Sequence, residues 1–211
     1  MSARLQAVLS YIEGQTLADI GTDHAYLPIV ACQNRLIEYA VACDVSAGPL
    51  EKAANNIKRY GLEEKITTRL GFGLKPMLPG EADCVVIAGM GGMRIIDILK
   101  DSPKLKIKRL IVQPQHDIPA VRRSLHELGF SISDEKMVRE DDRFYTIIAA
   151  NPQKFQEEPY KEVYTELEYL FGKCLIDRKD EILKIYVNRE LARLSERDKR
   201  KIALKEVVKW L

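Results

Sequence analysis

The sequence predicts a doubly wound α/β fold: a mostly parallel seven-stranded sheet with an antiparallel last strand, followed by a small helical extension. Three observations point there. Short apolar runs alternate with stretches of helical periodicity from Thr16 to Leu128, the pattern of strands joined by crossover helices. The last two apolar runs, Phe130 to Val138 and Phe144 to Ala150, are separated only by the polar residues Arg139 to Arg143. That is too short for a crossover, so these two strands run antiparallel. Beyond Ala150 the apolar residues recur only at helical spacing.

Taken in order, Leu5, Val8, Leu9 and Ile12 mark an opening amphipathic helix with Gly14 as its stop. Thr16 to Ile20 is a strand ending at Gly21, and helical patterning resumes from Tyr26 to Cys32. Ala40 to Cys43 is a second strand ending in Asp44, followed by a helix from Pro49 to Tyr60 that Gly61 closes. Strands follow at Ile66 to Leu70, Cys84 to Ala88 and Leu110 to Gln113, with helices from Met93 to Leu99 and from Pro119 to Leu128. Asn151 to Pro159 is polar, bounded by prolines, and reads as a linker between residues 1–150 and 151–211. In the second part Val163, Leu167, Leu170 and Phe171, then Ile182, Ile185, Tyr186, Leu191 and Leu194, predict two or three helices in a hairpin or coiled-coil arrangement.

With 211 residues, 46% hydrophobic and 30% charged, the chain can bury a sizeable core and is expected to be soluble. The formal charge is only +2, so any surface for an acidic partner has to be local. Residues 1–150 balance, and the small positive surplus lies in 151–211. Cys32, Cys43, Cys84 and Cys174 match neither a disulfide framework nor metal-ligand spacing. No apolar stretch approaches a membrane span, and His24, His116 and His126 are too scattered to suggest a metal. The expectation is a cytoplasmic protein without a metal, monomeric or weakly dimeric.

The most informative stretch is Leu17-Ala18-Asp19-Ile20-Gly21-Thr22-Asp23-His24-Ala25, a strand running into a tight turn where doubly wound folds bind ligands. A dinucleotide fingerprint would need glycines where Asp23 and Tyr26 stand, and an acid beside a pyrophosphate repels it. A cofactor bearing an ammonium and a sulfonium meets no such conflict, which describes S-adenosylmethionine. Asp44, at the tip of the next strand, is placed to accept both ribose hydroxyls. Each acid alone could merely cap a helix; two at strand ends favour the ligand. Gly71-Phe72-Gly73 offers close backbone approach and an aromatic face for a flat ring. Ala88-Gly89-Met90-Gly91-Gly92 opens space where a substrate base would meet a methyl donor, and the Gln113 amide, in Gln113-Pro114-Gln115-His116, could read that base.

On Asp19-Ile20-Gly21-Thr22-Asp23-His24-Ala25-Tyr26-Leu27-Pro28, Ala88-Gly89-Met90-Gly91-Gly92, Gln113-Pro114 and Phe144-Tyr145 the chain resembles class I S-adenosylmethionine-dependent methyltransferases. More closely it is similar to the TrmK family of bacterial tRNA adenine-N1 methyltransferases, over nearly the whole chain. The resemblance implies a Rossmann-like domain over 1–150, a coiled-coil tRNA-binding domain over 151–211, and methylation of adenine 22. It implies that Asp19, Gly21 and Asp23 surround the methionine part of the cofactor, Asp44 the ribose and Phe72 the adenine, with Thr22, His24, Val45, Gly71, Gly73, Ala88, Gly89 and Met90 as further cofactor contacts. Asp23, Gly89, Met90, Gly91, Gln113 and Pro114 are the candidates for the reacting centre. Phe72 stands where many methyltransferases carry an Asp or Asn for the adenine amine, and the [DN]-P-P-[YF] motif of N6-adenine enzymes is replaced by A-G-M-G-G. Candidate RNA contacts are Lys104, Lys106, Lys108 and Arg109, with Arg122 and Arg123; Arg143 and Tyr145; and Arg197, Lys199, Arg200, Lys201, Lys205 and Lys209. Competing readings are a small-molecule methyltransferase and a non-catalytic RNA-binding module.

Overall fold

A computed structural model describes residues 2–153, 164–195 and 197–211. Seven strands, β1 (Thr16–Ile20), β2 (Tyr39–Asp44), β3 (Ile66–Leu70), β4 (Cys84–Met90), β5 (Arg109–Pro114), β6 (Phe130–Glu140) and β7 (Arg143–Pro152), form one sheet in the order β3-β2-β1-β4-β5-β7-β6. The first five are parallel, and β7 runs antiparallel to both β5 and β6. Helices α1 (Ala3–Leu9), α2 (Tyr26–Gln33), α3 (Ala47–Arg59), α4 (Gly92–Leu99) and α5 (Ile118–Glu127) cover its two faces.

Side-chain alternation divides the core. Leu17, Ala42, Val86 and Ile111 join Val8 of α1, Ile29 of α2 and Ile57 of α3 on one face. Ala18, Ile20, Cys43, Ile87 and Val112 join Ile95 and Ile98 of α4 and Val121 and Leu125 of α5 on the other. Both faces being covered is why β1, β4 and β5 read as continuous apolar runs. The connections reverse direction between β1 and β4, which makes their C-terminal rim the switch point where such sheets bind ligands.

Two local expectations are corrected. The opening helix stops at Leu9, before Ile12. Gly14 is no helix stop: at φ +95° it packs against Asp83, whose carboxylate accepts from the backbone N–H groups of Gln15 (2.9 Å) and Thr16 (3.2 Å). The chain must leave the helix early to reach that acceptor. Where a hairpin or small coiled coil of two or three helices was expected, the described residues form four helices, α6 (Glu166–Phe171), α7 (Lys173–Asp177), α8 (Glu181–Arg193) and α9 (Arg200–Val207). They share a core of Phe171, Leu175, Leu183, Val187, Leu204 and Val207 with Met137 of β6. The expected linker from Asn151 to Pro159 begins later, because Asn151 and Pro152 still belong to β7 and pair with Ser131 and Phe130 of β6; its part from Lys154 to Pro159, and Val163, lie outside the described residues.

Candidate functional site

The β1 turn is built under strain. Gly21 takes φ +75°, and its N–H and that of Thr22 both donate to the Cys43 carbonyl, at 2.8 and 2.9 Å. His24 and Ala25 then adopt consecutive left-handed conformations, φ 58° and 56°, which residues with a Cβ rarely do. Asn56 of α3 holds the bend by donating to the His24 carbonyl at 3.0 Å. Such strain clusters at ligand sites, and sequence reading missed Asn56 because an amide on a charged helix looks solvent-facing.

Three carboxylates converge in this region. Asp19 is buried and accepts from the Thr22 hydroxyl at 2.6 Å. Asp23 is open to solvent and lies 3.3 Å from His24 Nε2. Asp44, at the end of β2, accepts from the Ser46 N–H at 2.7 Å, and Val45 beside it is half exposed. Burial, opposed by the Thr22 hydrogen bond and reinforced by Asp23 and Asp44, raises the Asp19 carboxyl to about 6. The field is one that calls for a cation.

A stability consequence follows from Asp19. Its folded value lies above the ordinary 3.8, so the folded state binds the proton more tightly. Stability therefore falls as pH rises from about 4 to about 6 and stays lowered above that. Asp19→Asn is expected to stabilise the ligand-free protein at pH 7 by up to about 3 kcal/mol and to change little near pH 4. Melting curves at the two pH values check this, and an equal gap at both would contradict it.

The end of β4 completes the rim. Ala88 pairs with Gln113 and Met90 with Pro114, so Gly89 is the extra residue of a bulge. It takes φ +77°, and a Cβ there would meet nothing within 4 Å. The Met90 methyl lies where a Gly21 side chain would be, so this segment packs directly on the β1 turn. The open glycine loop expected from A-G-M-G-G is therefore corrected: only Gly89 faces free space, and Gly92 already begins α4. The space that side chains at Gly91 and Gly92 would need is filled by His116 and Asp117 from the β5–α5 turn.

Other expectations are also revised. Pro76 and Ile98 occupy the space that side chains at Gly71 and Gly73 would need, and of the two glycines only Gly71 stays partly exposed. Phe72 is half-buried, with the guanidinium of Arg94 4.9 Å and the ammonium of Lys75 5.5 Å from its centroid. Gln113 reads no incoming base: it is fully buried with Pro114, and its Nε2 donates to the Pro114 carbonyl at 2.9 Å. Arg109 is buried and donates to Tyr11, Ser133 and Asn151, so it is no RNA contact. Arg122 is likewise buried, against Glu135. Lys104, Lys106 and Lys108 are exposed but precede β5, at the opposite rim of the sheet, about 20 Å from its C-terminal end. Arg143 and Tyr145 fare differently. β7 pairs through Ile148 to Ala150 with β5, so its first residues reach the C-terminal rim, where Arg4 stacks on Tyr145. Arg189 of α8 donates to the Asp142 carbonyl at 2.7 Å, tying the terminal helices to this hairpin tip. On and before α9, Arg197, Arg200 and Lys205 are exposed; Arg200 pairs with Asp198, and Lys201 Nζ donates to the Leu194 carbonyl.

A methyltransferase-domain family model matches residues 1–148. The structure of the Bacillus subtilis M1A22 tRNA methyltransferase TrmK superposes with a TM-score of 0.82 at 32% identity, covering 99% of this chain and 94% of that one. The chain belongs to the TrmK family of methyltransferases. A Mycoplasma capricolum TrmK, solved with S-adenosyl-homocysteine, matches at 30% identity with a TM-score of 0.81, over 100% of this chain and 95% of that one. The curated B. subtilis tRNA (adenine(22)-N(1))-methyltransferase is 40% identical over 153 residues, which span 71% of this chain and 64% of that TrmK protein. The seven-stranded Rossmann-like sheet with its antiparallel β7 is thus the architecture of TrmK enzymes. Among the described residues no helix is long and apolar enough to cross a membrane, and no cluster of three His, Cys, Asp or Glu side chains could hold a metal.

Proposed function

We propose that this chain transfers the methyl group of S-adenosylmethionine to N1 of adenine 22 in tRNA, in the cytoplasm, as a monomer or weak homodimer. The observation that carries the reading is the carboxylate-lined β1 turn, with Asp19 raised to about 6 by burial and by its acidic neighbours, facing the glycine opening of β4. The donor set suits a cofactor with an ammonium and a sulfonium: Asp19, Gly21, Thr22, Asp23 and His24 would hold its methionine part, Asp44 and Val45 its ribose, and Phe72 its adenine. When bound, it supplies an electrophilic methyl group.

The adenine N1 lone pair is free at neutral pH, so the reaction starts without a strong base and orientation supplies most of the acceleration. N1 lies on the Watson–Crick edge, so the target base has to leave its stack or be unpaired, at a cost of a few kcal/mol. The Gly89 opening admits it. The product base is cationic, and Asp23, exposed beside the turn, can stabilise charge as it develops. RNA contacts that orient the substrate fall to Arg143 and Tyr145 at the hairpin tip and to the basic residues of the helices tied to it by Arg189.

Incubation with labelled S-adenosylmethionine and unmodified bulk tRNA, followed by digestion, is expected to yield labelled 1-methyladenosine. Cofactor binding without label in RNA would overturn the proposal, and label on a small molecule would favour a different methyltransferase.

A further inference from the structure

We propose that His116, held by Asp117, contacts the substrate and accepts a hydrogen bond from the exocyclic amine of the target adenine; this rests on the function proposed above. An aspartate directly before a helix ordinarily caps it. Asp117 stands at that position for α5, yet it caps nothing and takes the left-handed conformation, φ 56° and ψ 32°. Its carboxylate lies instead 2.7 Å from His116 Nδ1. Helix capping is given up to orient a ring, the kind of local sacrifice that accompanies function.

The end of β4 is cut back to seat this pair. A Cβ on Gly91 would lie 2.6 Å from His116 Cε1 and 2.7 Å from Nε2, and one on Gly92 would lie 2.6 Å from the His116 carbonyl oxygen and 2.8 Å from Asp117 Cβ. The Gly92 N–H donates to the His116 carbonyl at 3.2 Å, and the Gln115 N–H to that of Met90 at 2.8 Å. The ring so placed stays two-thirds exposed, at 66%, on the rim beside the Gly89 opening.

The chemistry follows from the tautomer. An ionised carboxylate only accepts, so Asp117 fixes the proton of the neutral ring on Nδ1 and leaves Nε2 as an acceptor. Adenine presents a donor amine next to N1, whereas guanine presents its O6 acceptor there. As N1 bonds to the methyl carbon and the sulfur–carbon bond gives its electron pair to sulfur, positive charge spreads to the amine. Its N–H becomes a better donor, and the bond to Nε2 strengthens in the transition state. The amine keeps both hydrogens and the histidine is unchanged. Asp117 acts as a positioning residue.

The test uses the full chain and two tRNA transcripts, one with adenosine at the target position and one with purine ribonucleoside, which lacks the amine. On adenosine, His116→Ala is expected to lower kcat/KM about 10- to 100-fold with cofactor affinity unchanged, and His116→Gln, which keeps an acceptor, to recover part of it. Asp117→Asn should lower kcat/KM in the wild-type background and nothing further in His116→Ala. On the amine-less transcript the wild type should fall by at least that factor, because N1 also loses the electron donation of the amine, and His116→Ala should lose nothing more. Equal turnover by wild type and His116→Ala, or a loss of the same size on both transcripts, overturns the proposal alone. A wild type that methylates neither transcript overturns the adenine reading together with it.

Discussion

Gly89→Ala is expected to cost at least about a hundredfold in turnover while the protein still folds. Gly89 is the extra residue of the β4 bulge, at φ +77°, and a Cβ there meets no protein atom within 4 Å. Substitution therefore costs only the left-handed strain of about 1–2 kcal/mol, a loss of a few degrees in Tm for a chain of this size. The activity loss has a different origin. On the function proposed above, the added methyl group would project into the space where cofactor and base approach within reacting distance, and a displacement on the order of 1 Å there is enough. Gly61 supplies the control, since it has φ +65°, equally empty surroundings and a position just past α3, away from the rim. Gly61→Ala should lose a similar amount of stability and no turnover. Normal turnover in Gly89→Ala would show that the reactants meet elsewhere.

What sequence could reveal follows from how each feature is caused. The strands were legible because β1, β4 and β5 are covered on both faces, which demands unbroken apolar runs, and the β6–β7 hairpin because five residues cannot cross a sheet. The acids of the β1 turn were legible because an acid where a phosphate would sit is a chemical contradiction. The α1 boundary was not, because it depends on Asp83, a residue distant in sequence that reaches the Gln15 and Thr16 N–H groups. Arg109 and Arg122 look like their basic neighbours until tertiary structure buries them. Gln113 looked like a base reader because polar residues at strand ends usually face the rim, yet it is buried where β4 and β7 flank β5. The position of Lys104 to Lys108 was derivable, since residues preceding a parallel strand lie at the rim away from the ligand. Asp117 gave no signal, because an aspartate before a helix reads as a cap.

Arg122→Met is expected to destabilise the protein by about 3–5 kcal/mol, although methionine suits an apolar site. Arg122 and Glu135 are both essentially unexposed, and Nε lies 2.7 Å from the carboxylate. Arg122 Nη1 also donates to the carbonyls of Tyr169 and Leu170, at 2.7 and 3.1 Å, satisfying the end of α6, where helix carbonyls lack partners. One side chain thus joins α5, β6 and the terminal helices. Gly172 closes the arrangement: at φ +95° it leaves no room for a Cβ between the Glu135 carboxylate and the guanidinium. Removing the arginine strands a buried carboxylate that burial already pushes above its ordinary range. With its cation gone, Glu135 is raised further, so the variant's deficit should be greatest at neutral pH and shrink as the medium is acidified and the group protonates. Glu135→Met alone strands the guanidinium and costs a similar amount. The double variant Arg122→Met with Glu135→Met leaves no buried charge, and its loss should be smaller than that of either single change, limited mainly to the two α6 carbonyls. Denaturant titrations of the four proteins measure this. Additive losses would show that the two residues stabilise the junction independently rather than as a pair.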